Sequence, residues 1–476
     1  MTPTQILTRH DAAISRRRPH EANWRDAYAH VLPAPHEAAN LFDATAADAA
    51  EQLAASLLAE LTPPWSRWFG LAPGRAAAED DQAEALALEA TAETLQAHFD
   101  RSNFAVEMHQ AFLDLVITGT GIMLVEEAPP GETSALRFTA VPVRTAILEE
   151  GPSGRLDTVF RELRVTTGEM LARFPFAEIP EAMRRQAKEE ADAADPVKHR
   201  LIQAVWPDGS GYRYAAVFDA DGLAQPVFVA QGRFADAPFI AFRWLKAPGE
   251  IYGRGPVIKA LPDIRVANRV VELVLKNASI AVTGIWQAED DGVLNPATVQ
   301  LIPGAIIPKA PGSSGLTPLA APGNFDVSQL VLNDLRARIR TALLADRLGV
   351  ERDQRMTATE VLERSAQTAR LLGATYGRLQ TELLTPLVAR CLAILARRGE
   401  IEPVLLEQGR VKLRYESPLA RVQGRADAAN TLLFLDAVSK MGEAAVAQVD
   451  AAAAARWLAR TLGAPAEILI PVTNQE

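Results

Sequence analysis

Apolar positions recur at helical spacing through the first part of the chain. TPTQILTRHDAAISRRRP and then HEANWRDAYAHVLP read as helix, closing at Pro33. In FDATAADAAEQLAASLLAELTPPWSRWF, Ala46, Ala50, Leu53, Leu57, Leu58 and Leu61 share one stripe. Asp43 or Thr45 can cap that helix, and Pro63 and Pro64 stop it. Residues 79–118 continue helical, with Phe104, Met108, Phe112, Leu115 and Val116 on one face. At Gly119 the period shortens to that of strands. GTGIMLVEE, LRFTAVPVRTAILEE and LDTVFRELRVT are β-like runs, with GPSGR as a turn. LARFPFAEIPEAMRRQAKEEADAADP returns to helix, and residues 200–245 give four further strand-like runs. Residues 1–250 therefore read as one α+β unit, helices around a small antiparallel sheet.

Beyond YGRGP the pattern is helical again, PVIKALPDIRVANRVVELVLKNASIAV. A Pro/Gly-rich excursion with short strands (284–325) separates it from a second helix at 326–345. A polar break, ADRLGVERDQRM, leads to a long helix from Thr357 to about Arg398, which Pro386 is expected to kink. RVKLRYESP reads as a strand, and Ala-rich helices run to about 463. No internal repeat is present. The predicted class is α+β, mainly α. The two helices around 284–325 make a hairpin with a head. Its stripe of Val266, Val270, Leu273 and Val274 finds no partner inside the excursion, whereas packing of neighbouring hairpins in a ring would cover it.

Composition narrows the function. A chain of 476 residues suggests two to four structural units, and 48% hydrophobic with 23% charged residues is an ordinary globular balance. The net charge of −10 argues against a nucleic-acid grip spread over the whole surface, while leaving a local basic patch open. The single cysteine, Cys391, excludes an intrachain disulfide and reads as a buried inert thiol in LVARCLAIL. Residues 1–30 are too polar for a secretory leader, and no uncharged apolar stretch has the length of a membrane span, so a soluble protein is expected.

Chemistry-bearing motifs are missing. There is no G-x-x-x-x-G-K-[ST], H-E-x-x-H or G-x-S-x-G. GTG at 119–121 and GRGP at 253–256 fall short of G-x-G-x-x-G and read as turns. The histidines at 10, 20, 30, 36, 98, 109 and 199 read as surface or helix-end residues. The acidic pairs Glu149–Glu150, Asp80–Asp81 and Asp290–Asp291 read as solvated loop charges. The sequence thus proposes no catalytic residue, cofactor or metal site, and the protein is not expected to be an enzyme.

Several segments, in order, carry a family resemblance. They are W-x-x-x-Y-x-x-x-L-P at Trp24–Pro33, the FDATAADAAEQLAASLLAELTPPWSRWF block, ITGTGIMLVEE, YGRGPVIKALPDIRVANRV, and RMTATEVLERSAQTARLLGATYGRLQTELLTPLVAR. With them the chain resembles the head-to-tail connector, or portal, proteins of short-tailed double-stranded DNA bacteriophages, over about residues 10–400. The last 75 residues add nothing to the likeness.

The resemblance implies a portal fold assembled as a ring of about twelve copies at one capsid vertex. Residues 1–254 would be the wing, 255–282 and 326–345 the helical stem, and 283–325 a small β-containing clip. Residues 346–400 would supply the tunnel loop and long helix, and 401–476 the α-helical crown. It further implies double-stranded DNA in the channel during packaging and ejection. The terminase large subunit, a tail adaptor, and capsid and scaffold proteins would be partners. No membrane is involved, and the location would be the virion, with the host cytoplasm during assembly.

DNA must slide through such a ring without sticking, and each phosphate contact adds affinity. A few arginines in an acidic subunit suit this. The channel candidates are Arg336 and Arg340 on the second stem helix, with Arg338 between them, and Arg347, Arg352 and Arg355 in the polar loop. Spacing of two spreads the first three around a helix, so one or two at most face the lumen. Salt bridges or plain solvation are the competing roles for each. Asp290, Asp291 and Lys309 are clip candidates for motor or adaptor contact, or else plain turn residues. The rival functions are another ring-forming structural protein, or a soluble enzyme with an unfamiliar site. Mass in solution separates them.

Overall fold

The structure is a computed structural model. It describes residues 1–35, 38–74, 82–181, 183–185, 196–221, 223–283, 286–288, 311, 316–318, 325–345, 373, 375–403, 411–416, 418–442, 445 and 448–462. The chain opens with helix α1, Pro3–Val31, started by a capping box between Thr2 and Gln5. It runs unbroken through Pro19, so the two helical stretches read from the sequence are one. Helix α2 spans Thr45–Leu61. Its N-cap is Ala44, with no side-chain cap, which corrects both candidates; Asp43, one position earlier, accepts the Thr45 N–H at 3.0 Å. Helices α3, Gln82–Arg101, and α4, Phe104–Thr118, are separate. The Asn103 side chain between them bonds both the N–H and the C=O of Phe138, at 3.0 and 2.8 Å, which binds this turn to a strand. Every residue of the α4 stripe read from the sequence is buried.

The strands form two main antiparallel sheets, which corrects the expectation of one. Strand β2, Thr120–Glu127, lies between β3, Leu136–Ala140, and β9, Phe239–Arg243. The other sheet is a meander of β4, Ala146–Glu150; β5, Leu156–Val165; β6, His199–Asp208; β7, Gly211–Asp219; and β8, Val227–Phe234. Ile122, Leu124, Val159, Val205, Phe239 and Ala241 join the two sheets in one apolar cluster. Strand β1, Phe69–Pro73, pairs with β12, Val411–Tyr415, from the far end of the chain. Helix α5, Thr167–Arg173, is short and carries its own capping box.

Helices α6, Pro256–Thr283, and α7, Phe325–Ala342, lie side by side. Short strands β10, Trp286–Ala288, and β11, Leu316–Pro318, pair within the excursion between them. Helix α8, Thr375–Arg397, is long and apolar enough to cross a membrane by length and composition. Its apolar residues are instead core: Leu383, Leu384, Leu387, Val388, Cys391, Leu392, Ile394 and Leu395 are all buried. Burial also pushes the Cys391 thiol far up, as an inert cysteine requires. Pro386 is accommodated by a π-helical turn at Gln380–Leu384 directly before it, in which Thr385 N–H bonds to the Gln380 carbonyl. Helices α9, Pro418–Lys440, and α10, Ala451–Leu462, pack together near the end of the chain.

Several polar residues read as solvated are buried and paired. His10, His98 and His199 are buried. Glu149 is a strand residue held by Arg9 and Arg16 at 2.7 and 2.8 Å, and Glu150 pairs with Lys246. Asp80, Asp81, Asp290 and Asp291 lie outside the described residues.

Asp114 of α4 accepts the Tyr28 hydroxyl at 2.8 Å and the Val143 N–H at 3.2 Å, which ties α1, α4 and the approach to β4. Burial pushes its carboxyl up to about 6, against the bonds from Tyr28 and Val143. A raised acid gives stability that is complete below the unfolded pKa near 3.8 and lost as pH rises through about 6. Asp114→Asn abolishes that loss. Relative to wild type, the variant should therefore gain about 1–3 kcal/mol between pH 4 and pH 7.5 in urea denaturation. A difference independent of pH would refute the role of burial.

Candidate functional site

Nothing in the described residues converges as a reaction centre, and no group of three or more His, Cys, Asp or Glu side chains there is placed to hold a metal ion. A cleft of about 920 Å³ lies at the base of the α6/α7 pair. Trp24, His20, Trp244, Lys259 and Leu344 line it, together with Glu250 and Arg254, which are already paired with each other.

Two glycine-bearing segments cross at this base. Gly119 ends α4 with φ +91°, in the left-handed region where a side chain is strained. Its carbonyl accepts the Trp244 N–H at 2.9 Å. Gly253 donates to the Thr120 hydroxyl at 2.9 Å, and a Cβ built on it would lie 2.0 Å from the Gly119 oxygen. The GTG and GRGP segments are thus more than turns: their backbones touch, and glycine is what lets them. That contact fixes where α6 begins relative to α4 and β2.

Polar clasps then fasten the helix pair to the rest of the subunit. The Asn268 amide on α6 accepts the Phe42 and Asp43 N–H groups at 2.7 and 3.1 Å and donates to the Asn40 carbonyl at 3.0 Å. Arg336 on α7 pairs with buried Asp43 at 2.8 Å, holding its carboxyl below the usual range together with the bonds from Thr45. Arg338 pairs with Asp263 of α6 at 3.0 Å, and Arg265 with Asp26 of α1. Ile264, Ala267, Leu332, Leu335, Ile339 and Leu343 carry the pair into the main core. Farther out, at 268–279 and 329–331, no described residue is fully buried. Val266, Leu273, Leu275, Leu330 and Val331 are exposed, Leu330 at 72%.

The predicted channel arginines therefore separate. Arg336 and Arg338 are committed within the subunit, while Arg340 is exposed. Arg347, Arg352, Arg355, Asp290, Asp291 and Lys309 lie outside the described residues. Sequence reasoning missed the clasp residues Asp43, Asp263 and Asn268. Asp43 carried one signal, its candidacy as a helix cap; a lone Asp or Asn on a helix carries none.

The helix pair is thus clasped at its base and carries exposed apolar residues farther out. The chain belongs to the bacteriophage head to tail connecting protein family, whose family model matches residues 3–469. It is similar to the probable portal protein of Bordetella phage BPP-1, 24% identical over 458 residues, covering 91% of this chain and 80% of that protein. It is also similar to the portal protein of Salmonella phage epsilon15, 22% identical over 454 residues, covering 90% and 80%. Among solved structures, one chain of the neck of an empty gene transfer agent particle, computed with C6 symmetry, overlays with a TM-score of 0.36 at 13% identity, covering 93% of each chain. The protein is a portal, or head-to-tail connector, protein of a phage-type particle.

The glycine crossing generates a test. Gly253→Ala should cost about 3 kcal/mol or more, because its methyl would meet backbone. Gly249→Ala, at φ +80° with nothing within 4 Å of the added carbon, should cost only about 1 kcal/mol of left-handed strain. Equal costs in chemical denaturation would show that the crossing has slack.

Proposed function

We propose that this chain assembles as a closed ring of about twelve copies at one capsid vertex, with double-stranded DNA passing through its centre. Residues 1–254 serve as the wing, 255–282 and 326–345 as the stem, and 283–325 as the clip. Residues 346–400 form the tunnel loop and long helix, and 401–476 the crown. The clip, through Asp290, Asp291 and Lys309, docks the terminase large subunit during packaging and a tail adaptor afterwards. Capsid and scaffold proteins surround the wing, and assembly takes place in the host cytoplasm. The role is structural, with no cofactor.

The observation that carries the ring is the exposed apolar residues of α6 and α7, Val266, Leu273, Leu330 and Val331 among them, on a pair whose described clasps lie at its base. A head-to-tail ring covers such a stripe in every copy, and closure leaves none exposed. On α7, Arg340 is the channel candidate, since Arg336 and Arg338 are already partnered. Arg347, Arg352 and Arg355 are the loop candidates. With Asp346, Glu351 and Asp353 the loop sums to zero charge, which suits passing contact with phosphates over a firm hold.

Two measurements test this. Native mass spectrometry should show a ring near twelve subunits for wild type, and monomer for Val266→Asp combined with Leu273→Asp, with unchanged far-UV circular dichroism. A wild-type monomer at every concentration, or intact rings from the double variant, would reject the assigned interface. Replacing Arg347, Arg352 and Arg355 together by Ala should leave rings intact and change DNA packaging or retention in a salt-dependent way. Unchanged packaging and retention would return those arginines to local pairing.

A further inference from the structure

A buried histidine helps fasten the chain that leaves α8 to α3 and to the approach to β3. His98 lies in the last turn of α3 and is 4% exposed. Its Nδ1 accepts the Ala135 N–H at 3.1 Å. An amide can only donate, so Nδ1 carries no proton and the ring hydrogen sits on Nε2. There it donates to the Glu400 carboxylate at 2.7 Å. Ser134 completes the seat: its hydroxyl donates to the His98 carbonyl at 2.9 Å and accepts the Leu136 N–H at 3.2 Å. One neutral imidazole thus joins α3, the approach to β3 and the chain after α8.

Charged groups face this ring from each neighbouring element. From α3, Arg101 places Nη2 3.2 Å from both ring nitrogens. From beyond α8, Glu400 also takes a bond from Arg398 Nε at 2.8 Å. Arg398 and Arg397 in turn pair with Glu127 at the end of β2, at 3.4 and 2.9 Å. Downstream, β12 is anchored by its ladder to β1 and by Glu416, which lies 3.5 Å from Arg67.

We propose that His98 is a proton-operated latch that holds the chain following α8, and with it strand β12, against α3 and the β2–β3 hairpin. A proton arriving at Nδ1 turns the acceptor of the Ala135 N–H into a second donor, so two hydrogens face each other. It also sets an imidazolium beside the Arg101 guanidinium. Glu400 opposes release, since it attracts the charged ring. Burial, with Arg101 and Arg398, outweighs Glu400 and holds the imidazole below its ordinary value of 6.5. The attached state therefore binds fewer protons than the released one. Attachment is complete above about pH 6.5 and weakens as pH falls below it.

Local hydrogen exchange on the full-length protein tests the latch, because a global melt would also report buried His10 and Asp114. Amide exchange, corrected for its intrinsic pH dependence, is followed by mass spectrometry at pH 7.5 and 5.5. In wild type, Ala135, Leu136 and Val411–Tyr415 should lose protection at the lower pH, by up to about tenfold, since pH 5.5 lies about one unit below the ordinary imidazole value. His98→Gln offers an acceptor to Ala135 and a donor to Glu400 without titrating, and should keep its protection at both values. Equal loss in the two proteins, or none in wild type, overturns the proposal. Should the variant fail to fold, deuterium uptake at the His98 ring carbon of wild type decides. A midpoint below 6.5 upholds the latch, and one at or above 6.5 overturns it.

Discussion

Arg243 is the residue on which the arrangement turns. It is 1% exposed, at the end of β9, and its guanidinium reaches three other parts of the chain. Glu382 of α8 accepts from Nη2 at 2.7 Å, from Nε at 3.2 Å and from the Arg243 backbone N–H at 3.0 Å. The carbonyls of Gly154, in the β4–β5 turn, and Ile251, before α6, accept at 3.0 and 3.2 Å. A buried ion pair adds little net stability over an apolar substitute, yet losing one partner costs several kcal/mol. Its value here is geometric, since a planar fork with five donors dictates where each acceptor lies. Glu382 sits inside the π turn before Pro386. The extra residue in that turn therefore does two things: it relieves the proline and aims the carboxylate at Arg243.

From that pin the base of the helix pair follows. Arg243 pairs in register with Thr120, which brings Gly119 beside the chain that enters α6. The Gly119 carbonyl holds Trp244, the Thr120 hydroxyl holds Gly253, and the Leu245 carbonyl holds the Arg254 N–H at 2.7 Å. Sheet, helix α8 and the start of α6 are thus fixed by one buried side chain and the hydrogen bonds around the glycine crossing. The long pair α6/α7 needs no broad interface with the sheets to be held at a set angle.

The elements were largely legible because their apolar periods are local. The α4 stripe, the four strand runs between 200 and 245 and the α6 and α7 helices follow from spacing alone. What spacing could not show was the destination of polar groups. Glu149 and His98 look like solvated residues in one dimension, since their partners Arg9, Arg16 and Glu400 are distant in sequence. The β1–β12 ladder was hidden for the same reason: VKLRY reads as a strand, but nothing local names Phe69–Pro73 as its neighbour. GTG and GRGP were visible as glycine, yet a turn and a backbone crossing demand the same residue. Of the candidate site, Arg336 and Arg338 on α7 take partners in different parts of the subunit. Arg336 finds its carboxylate just before α2 and Arg338 finds one on α6, and a charge pattern does not reveal which.

Those two pairings bear on how a channel subunit treats DNA. An arginine bonded to Asp43 or Asp263 presents little net field, and to grip a phosphate it must first give up a carboxylate. Affinity for a duplex rises with the number of phosphates neutralised, and a ring multiplies whatever each subunit contributes. In the proposed ring, three free guanidiniums on α7 would act as a brake. With Arg336 drawn onto buried Asp43, Arg338 and Arg340 are the exposed arginines of that helix, and Arg338 is paired with Asp263. In the proposed ring, the Arg336–Asp43 clasp would therefore both fasten the helix pair to the subunit and lower its hold on DNA.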